Sequence, residues 1–310
     1  MSISKKANTK KVVKAKTATS KPVVGILGLG IMGSAMSYNL MKDGFSVIGY
    51  DPSPKALASF KKSGGQTAKS AKEVASLVNF MILSLPGPGA LMASAEEIAK
   101  SNNKNLIIAE TSTLDPADKI QARDILQKKG IVLLDCPLSG TGAQARNKDL
   151  SIYSSGPKEA VNKIEQIFSG FTKAHYYLGK FGNGMQMKFM ANLLVAIHNV
   201  STAEALLFGA NCGIDPALAT KVLSDGAGGS RMLDVRGPVM AKGNWDEATM
   251  KVSTWQKDMK LITEALAASN TPAPTFAACQ GIYNAAMGSG HADHDTAAVY
   301  AVLKRMSSKK

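Results

Sequence analysis

The stretch that most constrains this chain runs from Val23 to Asp51. Val23-Val24-Gly25-Ile26-Leu27 is a short apolar, partly β-branched run of the kind that forms a buried strand. It feeds Gly28-Leu29-Gly30-Ile31-Met32-Gly33, and from Ile31 to Lys42 apolar residues recur at helical spacing until the pattern stops near Gly44. Ser46-Val47-Ile48-Gly49-Tyr50 reads as a second strand ending at Asp51, 23 positions after the first glycine. A GxGxxG pattern alone says little. Set between a strand and a helix, with an acid closing the next strand, it specifies a turn that binds a dinucleotide. Gly28 permits the tight turn, Gly30 lets backbone approach a pyrophosphate, and Gly33 lets helix and strand pack closely. The helix start, with Ile31 and Met32, offers free N–H groups and the positive end of the helix dipole to phosphate. A carboxylate at Asp51 accepts from ribose hydroxyls and repels a 2′-phosphate, which favours NAD; nearby Lys55 softens the preference, so NADP is the alternative cofactor.

The alternation continues. Phe80–Leu83, Leu106–Ala109 and Val132–Leu134 read as further strands, with helical stretches at roughly 88–100 and 116–129 between them. Strands alternating with helices imply a parallel sheet covered on both faces, with ligands at the carboxyl ends of the strands. The polar loops at Ser84-Leu85-Pro86-Gly87, Glu110-Thr111-Ser112-Thr113 and Asp135-Cys136-Pro137 are therefore where chemistry is expected. With 310 residues the chain has room for two domains. No uninterrupted apolar run of about 18 residues occurs, which rules out a membrane-spanning helix on this reading. The three cysteines lie far apart with no CxxC pair, so neither a disulfide framework nor a thiolate metal cage is expected, and a reducing, cytoplasmic setting fits.

The net charge of +14 suggests a polyanionic partner until it is located. Residues 1–21 hold seven lysines and no acid; without them 30 basic residues face 23 acidic ones, a net of +7. That segment is Lys, Thr, Ser and Ala with no aromatic residue, and reads as a solvated basic tail. It lacks the apolar core of a signal peptide. Lacking arginine, it fits an organelle transit peptide less well, and a nucleic-acid or membrane-surface arm is the remaining alternative.

Two further signatures follow. Asp135-Cys136-Pro137-Leu138-Ser139-Gly140-Thr141-Gly142 sets a hydroxyl among glycines, an arrangement that presents several donors to one anion. Gly179-Lys180-Phe181-Gly182-Asn183-Gly184 leads into a proline-free stretch to about Cys212, read as one long helix that places Lys188 and Asn192 on one face. With Gly28-x-Gly30-x-Met32-Gly33 and Lys257-Asp258, these motifs occur in the order seen in the β-hydroxyacid dehydrogenase family. The chain resembles that family from residue 23 to about 300.

The resemblance implies an α/β Rossmann domain with a mostly parallel sheet, joined by a long helix to an all-α C-terminal domain, usually in a homodimer or homotetramer. On this chain that corresponds to a basic tail at 1–21, a cofactor domain at 22–184 and a helical domain for substrate and dimerisation at 185–310. It implies Lys188 as general acid/base and Asn192 as a residue holding substrate. Ser139 and Gly140 fall in the loop for the substrate carboxylate, Lys257 contacts the cofactor, and Leu85, Pro86 and Thr113 line it. The implied reaction moves a hydride between NAD(H) and a small β-hydroxy acid or its semialdehyde, of the 3-hydroxyisobutyrate or tartronate semialdehyde kind, with no metal.

Departures from the family pattern bear on substrate. Thr141 replaces a glycine and either narrows the carboxylate pocket or adds a hydroxyl, and Ala90 removes one cofactor contact. Arg231, in a glycine-rich stretch read as a loop from Asp225, is a candidate for an acidic substituent. Trp255-Gln256-Lys257-Asp258 reads as the start of a helix, and His291-Ala292-Asp293-His294-Asp295 as a polar helix entry rather than a metal site. The alternatives are a related imine or larger-acid reductase, which the presence of Lys188 disfavours, and a non-catalytic dehydrogenase-like module recruited through its tail. A small carboxylate is the expected partner, with no membrane and with nucleic acid reachable only through the tail.

Overall fold

The structure is a computed structural model and describes residues 21–307. The tail expected at residues 1–21 lies outside them except for Lys21. That residue is held rather than free: its ammonium pairs with Asp43 at 2.8 Å and sits 4.5 Å from the centre of the Phe45 ring.

Six short strands form one parallel sheet. They are β1 (Val24–Leu27), β2 (Val47–Tyr50), β3 (Gln66–Thr67), β4 (Phe80–Leu83), β5 (Ile107–Glu110) and β6 (Val132–Asp135), in the order β3-β2-β1-β4-β5-β6. The chain reverses direction across the sheet between β1 and β4, which opens a crevice at the carboxyl ends of the strands. Apart from the exposed edge strand β3, the strands are mostly apolar because both faces are covered. On one face helices α1 (Ile31–Lys42) and α7 (Lys158–Phe171) bury Leu40, Ile164, Phe168 and Phe171. On the other, α3 (Ala71–Leu77), α4 (Pro88–Ala99) and α5 (Pro116–Gln127) bury Val74, Leu91, Ile98, Ala122 and Leu126.

A second, three-stranded sheet was not anticipated. β7 (Leu138–Ser139), β8 (Ser151–Ser154) and β9 (Ala174–Tyr177) form it beyond β6, with β7 and β8 antiparallel and β8 and β9 parallel. β7 is two residues long and β9 is polar, so neither carries a periodic apolar signal.

From Gly182, whose φ of +96° suits glycine, the chain enters α8 (Asn183–Asn211), 29 residues long. Helices α9 (Pro216–Ser224), α10 (Arg231–Lys242), α11 (Val252–Ala268), α12 (Pro274–Gly288) and α13 (Val299–Met306) pack around it and bury Phe189, Leu206, Trp255, Phe276 and Tyr283. α8 is long and apolar enough to cross a membrane by length and composition, a property that a search for uninterrupted apolar runs passes over. Its apolarity is explained by its place at the centre of the helical half. The stretch expected to be a loop up to Arg231 ends one residue earlier, because Ser230 caps α10 by accepting from the Leu233 N–H. α11 begins at Val252 rather than Trp255, and the segment 291–295 leads into a 3-10 turn (Thr296–Ala298) capped by Asp295.

Candidate active site

The turn after β1 is built by close contact. A Cβ on Gly28 would lie 2.0 Å from the Ser84 carbonyl oxygen, and one on Gly33 would lie 1.8 Å from that of Gly28. Gly30 is different: it is exposed, and a Cβ there meets nothing within 4 Å, so packing within the chain does not require glycine. The space above it fits a pyrophosphate approaching the backbone. α1 has no side-chain cap, which leaves its first N–H groups to a ligand. Ile31 stands 69% exposed beside this turn, while Met32 packs partly against the core. Asp51 directly follows β2, with each oxygen taken once, accepting from the Leu29 N–H and the Ser53 N–H, both at 2.8 Å. It therefore braces the glycine turn, and each oxygen keeps a lone pair for a ribose hydroxyl. Leu85 and Pro86 follow β4, and the Leu85 N–H is held by the Ser112 hydroxyl at 2.8 Å. Thr113, after β5, offers its carbonyl to the Lys257 ammonium at 2.8 Å, which ties the two halves of the molecule together across the crevice.

Beyond these strand ends lies a cavity of about 670 Å³ between the second sheet and the helical half. Its walls include Ser139, Gly140 and Thr141 from one side, Lys188 and Asn192 from α8, and Arg231 from α10. The two halves of the expected constellation, far apart in sequence, thus meet in one space.

α8 is fixed here by a buried polar anchor. Asp135, at the end of β6, accepts from the Met185 N–H at 2.9 Å, and the Ser155 hydroxyl accepts from the Gly184 N–H at 3.0 Å, so the first turn of α8 is pinned to the strand ends. Beneath them Lys119 is 1% exposed and bridges Asp135 at 2.8 Å and Glu110 at 2.7 Å. Burial on its own would lower the Lys119 pKa, but the two carboxylates hold it above its ordinary value.

One turn beyond this anchor, Lys188 makes no hydrogen bond or ion pair among the described residues and is partly buried. Its pKa is lowered, chiefly by burial and further by the charge of Lys257, with Asp258 opposing the shift. Asp258 is buried on α11; burial raises its pKa against the opposing charges of Lys188 and Lys257. Asn192 donates to the Asp258 carboxylate at 2.9 Å, and Lys257 stands 3.7 Å from it. Asp258 thus ties Asn192 to α11 by a hydrogen bond and acts on Lys188 through its charge alone. The sequence motif contained it, but nothing in the pattern distinguished its role from that of its neighbour Lys257.

Ser139 lines the cavity, and its hydroxyl carries no hydrogen bond among the described residues. Gly140 has φ +131°, and a Cβ there would press on Leu150 at 2.6 Å, so the turn beside Ser139 calls for glycine. Thr141 does not extend its hydroxyl to the cavity as a spare donor. It caps helix α6 (Gly142–Arg146): its N–H and hydroxyl are engaged by the Gln144 side chain and its oxygen accepts the Gln144 N–H, because glutamine stands at the third helical position. Arg231 is exposed and reaches Asp149 at 3.3 Å.

Residues 23–179 match the family model described as the NAD binding domain of 6-phosphogluconate dehydrogenase. Residues 182–303 match the one described as NAD-binding of NADP-dependent 3-hydroxyisobutyrate dehydrogenase. The chain is 29% identical to mitochondrial 3-hydroxyisobutyrate dehydrogenase of Mus musculus over 299 residues, covering 94% of this chain and 89% of that protein. It is 28% identical to L-threonate dehydrogenase of Cupriavidus necator, covering 90% and 95% of the two chains. The fold is also that of 3-hydroxyisobutyrate dehydrogenase of Mycobacterium tuberculosis, with a TM-score of 0.83 at 24% identity over 91% of this chain and 99% of the other.

Proposed function

The chain belongs to the β-hydroxyacid dehydrogenase family and is an NAD(P)-dependent dehydrogenase acting on CH–OH groups; on that premise we propose that its substrate is a small β-hydroxy acid or the matching semialdehyde and that Lys188 is the general acid/base. The observation that carries this reading is the placement of Lys188: an amine of lowered pKa, without an ion-pair partner, in the wall that also holds Ser139 and Asn192.

Gly30, Asp51, Leu85, Pro86 and Thr113 are the residues that would hold NAD(P), which when bound would supply or accept the hydride. Everything else falls to the chain. In the oxidative direction the hydroxyl proton must leave with the hydride, and the neutral Lys188 amine takes it onto Nζ. In the reductive direction the Lys188 ammonium polarises the carbonyl and returns the proton. The lowered pKa makes both forms accessible nearer neutrality than for an ordinary lysine. The Ser139 hydroxyl, beside the Gly140 turn, seats the substrate carboxylate. Asn192, oriented by its bond to Asp258, presents a neutral amide to the substrate and adds no charge that would disturb Lys188. Asp51 favours NAD over NADP.

The test is Lys188→Ala. Loss of a general acid/base lowers turnover by about 10²–10⁴-fold, while equilibrium binding of NADH, followed by its fluorescence, stays within a few-fold of wild type. Near-normal turnover would remove Lys188 from the reaction. A panel of three- to five-carbon hydroxy acids with NAD⁺ and NADP⁺ then identifies the substrate and the preferred cofactor.

A further inference from the structure

The cavity is larger than a four-carbon hydroxy acid requires, and its outer end carries charge that the reaction does not use. Among the described residues four cationic side chains line it, Lys173, Lys188, Arg231 and Arg236, against one carboxylate, Asp149. Lys188 is assigned to proton transfer. Arg236 is matched from behind by buried Asp295 at 3.1 Å. That leaves Lys173 and Arg231 facing Asp149, at 3.2 and 3.3 Å, so one positive charge is uncompensated.

The arrangement is built from both halves of the molecule. Lys173 immediately precedes β9 and Asp149 lies just before β8, whereas Arg231 is the first residue of α10. Asp149 also accepts from the Gln144 amide at 3.2 Å, and Gln144 is fixed in turn by the Thr141 cap, so the carboxylate that gathers the two cations is itself held in place. Each cation spends only part of its donor set there: the Arg231 fork and the Lys173 ammonium keep N–H groups for a further acceptor. The sheet register gives the reach. Ser139 pairs with Ser151, and Ser151 with Ala174, so the Lys173 backbone lies two strand spacings, ~10 Å, from the Ser139 position. A long cationic side chain from one end and a substrate arm of two or three carbons from the other close that gap.

We propose that the substrate is a dianion, a β-hydroxy acid whose second carboxylate is seated by Lys173 and Arg231 while Ser139 holds the first. The inference rests on the reading of the site given above and adds the class of substrate to it. The single uncompensated charge matches one carboxylate better than a doubly charged phosphate. Arg231, coming from the helical half, also makes a bound dianion a bridge across the cleft that a monoanion does not form.

The test compares three alcohols with the same reacting group: 3-hydroxyisobutyrate, 2-(hydroxymethyl)glutarate, and the distal monoamide of the latter, which keeps the shape and removes the second charge. With wild-type enzyme and saturating NAD⁺, the dicarboxylate is expected to exceed its monoamide in kcat/KM by about 10–100-fold, the range of a charge-assisted hydrogen bond. In Lys173→Gln and Arg231→Gln, each verified as folded by thermal unfolding, that ratio is expected to fall toward one. A wild-type ratio near one, with turnover of all three alcohols, overturns the inference and leaves the proposed reaction standing. A high ratio unchanged in both variants also overturns it, since the second carboxylate would then be held elsewhere. Turnover of none of these or other β-hydroxy acids overturns the proposed reaction itself.

Discussion

Two glycine-to-alanine substitutions in helices should move the stability of this protein in opposite directions. Alanine is the better helix former by about 1 kcal/mol at an interior position. At Gly281, in the exposed face of α12, a Cβ meets nothing within 4 Å, so that gain is realised and Tm should rise by about 2 °C. At Gly184, in the first turn of α8, the new Cβ would lie 2.6 Å from the Tyr153 carbonyl oxygen, 2.7 Å from that of Asp135 and 2.9 Å from the Asp135 carboxylate. Two of these are backbone atoms of the strands beneath and cannot rotate away. Relief requires α8 to lift, which costs about 1–3 kcal/mol as overpacking. Lifting also loosens the Gly184 N–H bond to Ser155 and the Met185 N–H bond to Asp135; leaving one such buried donor unpaired costs about 1–3 kcal/mol. The clash outweighs the propensity gain, for a net loss of about 1–5 kcal/mol and a fall in Tm of about 2–10 °C. Because Lys188 lies one turn further on, the same movement displaces the amine, and an error of about 1 Å in a reacting group costs up to about 10²-fold in kcat. Thermal unfolding by circular dichroism and turnover followed by nicotinamide absorbance measure both. If Gly184→Ala melts at or above wild type, the anchor does not govern α8; if it melts lower with kcat unchanged, the anchor does not position Lys188.

Other perturbations separate the remaining roles. Since the pKa of Lys188 is lowered and the oxidative direction needs its neutral form, oxidative kcat/KM should rise with pH through that pKa while reductive kcat/KM falls through it. Asp258→Asn keeps an acceptor for Asn192 but removes the charge that holds the Lys188 pKa up, so both limbs should move to lower pH; no movement, or movement to higher pH, would exclude the coupling. Asp51→Ala should lower kcat/KM for NAD⁺ by about 10–100-fold and NADP⁺ by much less, as expected for loss of charge-assisted bonds and of a repulsion; an unchanged NAD/NADP ratio would show that Asp51 serves only the turn. Lys119→Ala strands Glu110 and Asp135 as buried like charges and should destabilise by about 3–5 kcal/mol in urea unfolding, and a loss under 1 kcal/mol would mean that water replaces the ammonium.

The sequence made the Rossmann half legible because its signals are local. β1, the glycine turn and α1 are contiguous, and every strand of the main sheet except β3 is an apolar run between polar loops; β3, the exposed pair Gln66–Thr67, carries no such signal and was not expected. The errors fell where local pattern and tertiary context part. β7, β8 and β9 are short or half-polar and owe their pairing to one another, so no periodicity announces them. Thr141 was judged by side-chain chemistry, whereas Gln144 three residues later makes it a cap. Arg231 looked like part of a glycine-rich loop because the helix start at Ser230 is set by one hydrogen bond. Lys188, Asn192 and Ser139 came from spaced motifs, but their convergence on one cavity depends on α8 being pinned to β6, and that pin is made by Asp135, Ser155 and two backbone N–H groups whose partnership no spacing reveals.

The contacts between the two halves differ greatly in worth, and the difference says which parts of the site can move. At the base of the cleft the α8 anchor is buried, charged and shared by β6, β8 and the helix itself; breaking one partner of such a set costs several kcal/mol. At the rim, Arg231 to Asp149 and Lys257 to the Thr113 carbonyl are exposed straps; the Arg231 pair is worth about 0–1 kcal/mol and is screened by salt. Thermal energy at RT of about 0.6 kcal/mol opens contacts of that size readily and leaves the anchor intact. Lys188 therefore keeps its position relative to Ser139 and the strand ends while the exposed Arg231 side chain remains free to adjust. On the proposed reaction, the position of the proton-transferring amine would then be set before substrate arrives, and the Arg231 side chain would be the part of the wall left to respond to a second carboxylate.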